Sequence, residues 1–377
     1  MISYVVLWRH INFLSAATTR PLLTGGLRDS SSLSSLELYD QDCEVPPFQK
    51  PITDHVNFVT KEGRVAACGG VDYQTFATNI KCWTLNMEEQ KWETGRIGNL
   101  QEDRIGSTVA SLPLGVYILG GEGSVLGGSS TEFLPADKDR WEAGPRLPEV
   151  MMYHCTVTIS DTSFLLIGGH YTPMVVREYD GGVGGPASDE GWQEEEDWEP
   201  LLTPRMFHGC GRIGNQVIVA GGISNTSASR IEHKTVEIID IFYHQVRRGG
   251  EMLASRHRFQ IVVMRKWEGG RLLALGGVGS NQVEEYNSTT DSWSVVDSLV
   301  ESREQYGAVA VPRGSACPPW NTWGPWTPCS KTCYMEGEAM SGVMTRRRQC
   351  GTDMCYGVTN QTVTCPVALE CGKLVNK

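Results

Sequence analysis

The feature that most constrains the fold is a short apolar run ending in two glycines, which recurs six times in the first 277 residues. The successive intervals between these glycine pairs are 44, 51, 48, 53 and 55 residues, and periods of about 50 residues are typical of propellers and solenoids. Each run predicts a buried strand followed by a bend in which glycine takes a positive φ or allows close backbone approach. The paired glycines are Gly25, Gly26, Gly69, Gly70, Gly120, Gly121, Gly168, Gly169, Gly221, Gly222, Gly276 and Gly277.

Further segments recur within each unit. A second apolar strand precedes the glycine strand, as in IGSTVASL and RFQIVVM, and an aromatic strand followed by a tryptophan comes after it. Together these segments resemble kelch repeats over about residues 21–313. The resemblance implies an all-β, six-bladed kelch β-propeller whose aromatic residues pack between neighbouring blades. The aromatic pairs are Trp83 with Trp92, Phe133 with Trp141, and Tyr286 with Trp293; the first and fifth units lack the tryptophan, and the fourth has an insertion before Trp198.

The two ends of the repeat region complement each other. The segment REQYGAVAVP has no glycine pair after it, and the segment RPLLTGG has no complete strand before it. We therefore expect residues 303–312 to pair with residues 21–26, so that the C-terminal strand closes the ring and hides its sheet edges. Residues 1–20 are either a degenerate signal segment or a truncated start, and residues ahead of Met1 would be needed for a seventh blade.

Six of the twelve cysteines fall within a short C-terminal segment, in the expected second domain at residues 314–377. An even-numbered cluster in a small segment predicts a disulfide framework and an oxidising compartment. Zinc is the alternative, but the segment has no histidine and its cysteines do not form two C-x-x-C pairs.

The same segment contains three tryptophans at three-residue spacing, then CSKTC and RRRQC. These motifs resemble the thrombospondin type-1 repeat over about residues 317–372. The resemblance implies the disulfides Cys329–Cys365, Cys333–Cys371 and Cys350–Cys355, and a cation–π stack of Trp320, Trp323 and Trp326 with Arg346 and Arg348. It also implies C-mannosylation at Trp320 and Trp323, and O-fucosylation at Thr332, although Tyr334 stands where the family usually has glycine.

Several other residues are candidates for modification or structure. Sequons for N-glycosylation occur at Asn225, Asn287 and Asn360. The remaining cysteines allow the pairs Cys68–Cys82, Cys155–Cys210 and Cys43–Cys317, with buried free thiols as the alternative. His154 and His208 occupy matching repeat positions, which favours a structural role over a metal site. The acidic residues 189–199 suggest a solvated insertion or a contact with a cation or basic partner.

Composition and motifs together favour a binding protein. The formal charge of −11 argues against a nucleic-acid partner, and no apolar stretch is long enough to span a membrane. The sequence carries no recognisable catalytic motif and implies no cofactor. We expect a secreted, non-catalytic adhesion protein that recognises an extracellular protein or glycan, including glycosaminoglycan through the module's arginines. The alternatives are an intracellular kelch scaffold or substrate adaptor and, third, a copper oxidase of the galactose-oxidase type.

Overall fold

The computed structural model describes residues 19–29, 31–39, 45–72, 74–86, 89, 91–123, 128–194, 197–225, 229–264, 270–312, 325–330, 341–347 and 360–366. It divides into two compact units, one formed mainly by the residues up to Ala316 and the other by those from Cys317 onward. The larger unit is a ring of six antiparallel sheets, here called blades 1 to 6. A short 3-10 helix, Asp189–Gly191, follows the third strand of blade 4.

Each blade is described from its innermost strand outward. Blade 1 contains β28 (Gly307–Pro312), β1 (Thr19–Thr24) and β4 (Leu36–Leu38), with the hairpin β2 (Leu27–Arg28) and β3 (Ser31–Ser32). Blade 2 contains β5 (Val56–Val59), β6 (Val65–Cys68), β9 (Cys82–Asn86) and β10 (Lys91–Thr94), with the hairpin β7 (Val71–Asp72) and β8 (Ala77–Thr78). Blade 3 contains β11 (Thr108–Leu112), β12 (Gly115–Leu119), β13 (Thr131–Pro135) and β14 (Glu142–Ala143).

The second half of the ring repeats the same order. Blade 4 contains β15 (Cys155–Thr158), β16 (Ser163–Ile167) and β17 (Val176–Asp180). Blade 5 contains β18 (Gly209–Ile213), β19 (Gln216–Ala220), β22 (Val236–Asp240) and β23 (Gln245–Gly249), with the hairpin β20 (Ile223–Asn225) and β21 (Arg230–Glu232). Blade 6 contains β24 (Gln260–Met264), β25 (Arg271–Leu275), β26 (Gln282–Asn287) and β27 (Ser292–Ser298).

The C-terminal strand closes the ring, as the sequence predicts. β28 pairs antiparallel with β1 in a register that runs from Thr19 opposite Pro312 to Thr24 opposite Gly307. The expected pairing of residues 21–26 was therefore wrong at its boundaries, because Gly25 and Gly26 already lie in the bend after β1. The innermost strands β28, β5, β11, β15, β18 and β24 contact one another in that order around the ring.

The double glycines form the joints between blades. All twelve glycines have positive φ, between 57° and 118°. At each joint the second glycine donates its N–H to a carbonyl of the next blade; the six pairs are Gly26 to Ile52, Gly70 to Arg104, Gly121 to Met151, Gly169 to Arg205, Gly222 to Arg256 and Gly277 to Arg303. A Cβ on Gly221 would lie 2.5 Å from the Arg256 carbonyl oxygen. At this joint glycine is therefore required both for the backbone conformation and for the space between the blades.

Four blades carry a fully buried arginine that the sequence analysis did not single out. Each arginine donates to the carbonyl of the first glycine in its own blade and faces a glutamate on the third strand. The pairs and their N–O distances are Arg104–Glu132 (3.2 Å), Arg205–Glu237 (2.6 Å), Arg256–Glu284 (2.5 Å) and Arg303–Glu37 (3.6 Å). In blade 2, Ile52 takes the position of the arginine and Trp83 that of the glutamate. In blade 4, Met151 takes the position of the arginine, and Arg177 stands at the glutamate position and contacts Glu149 at 2.7 Å.

The core lies mainly between adjacent blades. One cluster joins Ile218 and Ile238 of blade 5 to Leu272 and Trp293 of blade 6. The ring of Trp141 packs edge-on against Phe58 of the preceding blade at 5.9 Å. Two disulfides add to this packing: Cys68–Cys82 joins opposite residues of β6 and β9, and Cys155–Cys210 joins the innermost strands of blades 4 and 5.

In the described part of the smaller unit, β29 (Ser341–Arg347) and β30 (Asn360–Pro366) pair antiparallel. Residues 325–330 run beside β29, with Thr327 N–H donating to Thr345 O and Ser330 N–H donating to Val343 O. A disulfide joins Cys329 to Cys365, the pair implied by the resemblance. Arg346 lies over the Trp326 ring at 4.7 Å, so a cation–π contact stabilises a unit too small for an ordinary core.

Candidate functional site

The loops that follow the double glycines lie at the same face of the propeller as the segments that lead into the innermost strands. Short β-bridges join these two sets, including Thr53 with Val71, Ile105 with Glu122, and Met206 with Ile223. We call this the upper face, and the opposite one, with the turns after the third strands, the lower face. The six innermost strands surround a central channel, and the mouth of this channel at the upper face is the candidate site.

Six residues in left-handed backbone conformation ring this mouth, one from each blade. They are Asp54, Gly106, Tyr153, Phe207, Arg258 and Gln305, with φ between 52° and 67°. Five of the six are not glycine, although a positive φ is uncommon for such residues. Strained backbone of this kind persists only where surrounding contacts hold it, and it is concentrated at functional sites.

Backbone hydrogen bonds between blades hold the ring. Five of the six ring residues donate their N–H to the carbonyl of the neighbour in the preceding blade: Asp54 to Gln305 (2.8 Å), Tyr153 to Gly106 (2.9 Å), Phe207 to Tyr153 (3.0 Å), Arg258 to Phe207 (2.9 Å) and Gln305 to Arg258 (3.2 Å). The left-handed conformation therefore lets backbone N–H and C=O groups at the ends of the sheets, which would otherwise lack partners, form hydrogen bonds with each other.

Half of the ring is an aromatic stack. Tyr153 packs on Phe207 with ring centroids 4.1 Å apart, and the Arg258 guanidinium lies over Phe207 at 4.8 Å. A Cβ on Gly106 would lie 2.4 Å from the Tyr153 ring, so the missing side chain in blade 3 makes room for this tyrosine. The stack presents flat aromatic and guanidinium surfaces, which are enriched in recognition sites.

The other half of the ring is polar. Gln305 Nε2 donates to Asp54 Oδ2 at 2.8 Å, and Arg258 forms a 3.4 Å ion pair with Glu304. Burial raises the pKa of Asp54 to about 6, against the opposing hydrogen bond from Gln305. Burial likewise raises the pKa of Tyr153 to about 12, so its hydroxyl stays protonated and can donate or accept.

Below the mouth lies a cavity of about 250 Å³ lined by the beginnings of the innermost strands. His55, His154 and His208 occupy equivalent positions beside it, and burial lowers the pKa of each to about 3. His154 Nε2 is 2.8 Å from Thr108 Oγ1, a contact that crosses between blades. Among the residues whose positions are described, no group of three histidine, cysteine or acidic side chains is arranged to hold a metal ion.

The loops around the mouth expose apolar side chains. Phe76 is 71% exposed and Tyr171 is 59% exposed, and both follow a double glycine. Ile231 in the upper-face hairpin of blade 5 and Val278 in the upper-face loop of blade 6 are also exposed. An aromatic and apolar rim around a charged centre is the composition of protein-recognition surfaces.

The structure places only some of the residues singled out from the sequence. Asn225 lies at the end of the upper-face strand β20 and Asn287 at the lower-face end of β26, and both are exposed. Asn360 begins β30. Outside the described residues lie Cys43, Cys317, Trp320, Trp323, Thr332, Cys333, Arg348, Cys350, Cys355 and Cys371.

The described residues of the acidic insertion contact the propeller. Trp198 is buried and stacks on His244 of blade 5 at 3.9 Å. Asp189 Oδ1 accepts the Arg146 N–H at 2.6 Å. The described part of the insertion is therefore more than a solvated loop.

Sequence reasoning missed the mouth ring altogether. Its members share only their position two residues ahead of each innermost strand, and their side chains have no common chemistry. The signal that could have located them is this fixed offset within the repeat, because residue type alone does not predict left-handed backbone outside glycine.

Comparison with known proteins agrees with this architecture. The family model described as Thrombospondin type 1 domain matches residues 321–371, and no curated protein matches the chain. A solved structure titled "Structure of YjhT" superposes with a TM-score of 0.58 at 12% identity, covering 75% of this chain and 99% of that one. At that identity the likeness concerns the fold alone. In the described part of the chain, no helix is long and apolar enough to cross a membrane. The chain thus combines a six-bladed β-propeller with a thrombospondin type 1 domain.

Proposed function

We propose that the chain is a secreted, non-catalytic binding protein of the kelch-propeller type that recognises an extracellular protein or glycan through the upper face. The observation that carries this proposal is the mouth ring, where five non-glycine residues in left-handed conformation present an aromatic–guanidinium stack beside a polar half. The thrombospondin type 1 domain and the propeller both fit an extracellular binding protein.

Placement outside the cell is supported by the cysteines. Disulfides occur in both units, at Cys68–Cys82, Cys155–Cys210 and Cys329–Cys365, and disulfides persist in oxidising compartments. Counting reactive thiols in native protein tests this placement. Twelve reactive thiols would instead favour the intracellular scaffold, and stoichiometric copper in purified protein would favour the oxidase.

The small domain adds a second contact in this proposal. Arg346 is committed to Trp326, whereas Arg347 is exposed and is available for a sulfated glycosaminoglycan. We expect Arg347→Ala to elute from immobilised heparin at lower salt than wild type, because each lost cation removes part of a salt-dependent attraction. Unchanged elution would assign any heparin binding to another surface.

The upper face is tested by charge substitutions on its exposed rim. Phe76→Asp and Tyr171→Asp place a charge in solvent-exposed loops without touching the ring, and Phe242→Asp is the matched control because Phe242 is 73% exposed on the lower face. We expect the two rim variants to lose staining of cell surfaces by labelled protein, and the control to retain it. Equal staining by all three variants would contradict an upper-face site.

A further inference from the structure

The outer edges of the blades differ in how they are protected. A strand at a sheet edge offers unpaired N–H and C=O groups to another chain, and proteins commonly block this pairing with charged residues. β10 carries Lys91 and Glu93, and β23 carries the exposed pair Arg247 and Arg248. Self-pairing of β23 would set arginine opposite arginine, which is unfavourable.

β27 lacks this protection. It is seven residues long with the sequence SWSVVDS, and it has no basic residue. Val295 is 46% exposed and Val296 is 40% exposed. Within the described residues, no strand pairs with its outer side. Antiparallel pairing of two copies about Val295 would set Asp297 opposite Trp293, so like charges would not oppose it.

The ladder between β27 and β26 is regular only in part. The register shifts between Val283 and Glu284, which leaves Val296 as the extra residue of a bulge. Bulges twist an edge away from partners, so the exposed regular edge is Ser292–Val295. This part of the edge begins directly opposite Asn287.

Asn287 is the first residue of an Asn-Ser-Thr sequon and is exposed. Its Oδ1 accepts the N–H groups of Thr289 and Thr290 at 2.9 and 3.2 Å. These bonds use the oxygen of the amide and do not involve Nδ2, the atom that glycosylation modifies. The regular edge extends about 10 Å from this position, at about 3.3 Å per residue, which lies within the span of a branched oligosaccharide.

We infer that Asn287 carries an N-linked glycan that covers the open edge of β27 and prevents two copies of the propeller from pairing through it. The donor is a lipid-linked oligosaccharide: Asn287 Nδ2 loses a proton and bonds to the anomeric carbon, whose bond to the lipid diphosphate breaks. The glycan does for β27 what charged side chains do for β10 and β23. This inference rests on the secretory route in the proposed function.

The test uses the full chain secreted from animal cells. Thr289→Ala removes the sequon but keeps Asn287 and its backbone hydrogen bonds, and Asn225→Gln removes a sequon on the upper face as the control. Glycopeptide mass spectrometry reads occupancy, and sedimentation velocity over a range of concentrations reads association. We expect Asn287 to be occupied, Thr289→Ala to shift toward dimers as concentration rises, and the Asn225→Gln control to remain monomeric.

Two further samples separate a folding defect from edge pairing. Enzymatic removal of glycans from folded wild-type protein should reproduce the Thr289→Ala association. Val295→Lys added to Thr289→Ala should restore the monomer, because two copies paired about this position would then set lysine opposite lysine.

The outcomes distinguish the inference from the proposed function. An unmodified Asn287 beside a glycosylated Asn225, a monomeric Thr289→Ala variant, or association that Val295→Lys does not reduce would each overturn the inference alone. Unmodified sequons together with twelve reactive thiols would overturn the extracellular placement as well.

Discussion

The buried arginine of blade 5 offers the sharpest test of how the blades are held. Arg205 and Glu237 are 0% and 1% exposed, and their charged groups are 2.6 Å apart. Arg205 also donates to the carbonyls of Gly221 and Thr235 at 2.7 and 3.1 Å. In Arg205→Met, the Glu237 carboxylate keeps the backbone N–H of Leu202 but loses its counter-charge.

An uncompensated buried charge costs about 3–5 kcal/mol. The free energy of unfolding of Arg205→Met should therefore fall by roughly that amount, which corresponds to a melting temperature lower by on the order of 10 °C in a domain of this size. Replacing both partners should recover part of the loss, since blade 2 fills the same two positions with Ile52 and Trp83. We therefore expect Arg205→Met with Glu237→Leu to be more stable than Arg205→Met alone.

The assay is urea unfolding of wild type, the single variant, the double variant and a surface control. Arg28→Met is that control, because Arg28 forms an exposed ion pair with Glu301 at 3.1 Å and such pairs contribute about 0–1 kcal/mol. If Arg205→Met loses no more stability than Arg28→Met, or if the double variant is the least stable of the four, the reasoning is refuted.

Three further predictions concern the joints, the disulfides and pH. Gly221→Ala should cost more stability than Gly214→Ala, since both have positive φ but only the first meets a carbonyl at 2.5 Å; equal losses in urea melts would contradict the steric role. Replacing both cysteines of Cys155–Cys210 should destabilise by about 4 kcal/mol, against about 3 kcal/mol for Cys68–Cys82, because the first closes the longer loop; the reverse order in thermal melts would refute this. Since burial lowers the pKa of the three channel histidines to about 3, below the unfolded value of about 6.5, the unfolded state binds more protons and stability is lost as pH falls from about 6.5 toward 3. Asp54 in the mouth ring, with its pKa raised to about 6, has the opposite effect on stability between about pH 4 and 6, but it is one group against three histidines. His154→Gln should therefore flatten the pH dependence of the melting temperature. An unchanged slope would contradict this prediction.

Much of the architecture was predictable because short sequence patterns repeat in every blade. A glycine pair recurs at each joint because both residues take a positive φ, and because a Cβ on the first glycine of five of the six pairs would lie less than 3.0 Å from an atom of the next blade. The closure by the C-terminal strand followed from unmatched segments at the two ends. The expected range of the first strand, 21–26, differs by two residues at each end from the observed Thr19–Thr24, because Gly25 and Gly26 belong to the bend and not to the strand.

The buried arginine–glutamate pairs were not predictable in the same way. The buried pair Arg205–Glu237 and its equivalents are separated by 28 to 32 residues within three blades, and the fourth pair joins the two ends of the repeat region through Arg303 and Glu37. Position in the repeat could have revealed the arginines, but it could not have shown that blade 2 replaces the pair by Ile52 and Trp83.

The sequence by itself determined the repeat, the number of blades and the presence of a second domain that is rich in cysteine. The first two follow from the recurring glycine pairs, and the third follows from tryptophan and cysteine at short spacings. Only the tertiary structure decided that Tyr153, Phe207 and Arg258 stack at one mouth and that Asn287 stands beside an unprotected edge. The mouth residues meet because closure of the ring brings segments that are distant in the sequence to one axis. Asn287 lies beside the edge because strand pairing sets it opposite Ser292. Neither ring closure nor strand register can be read from local sequence.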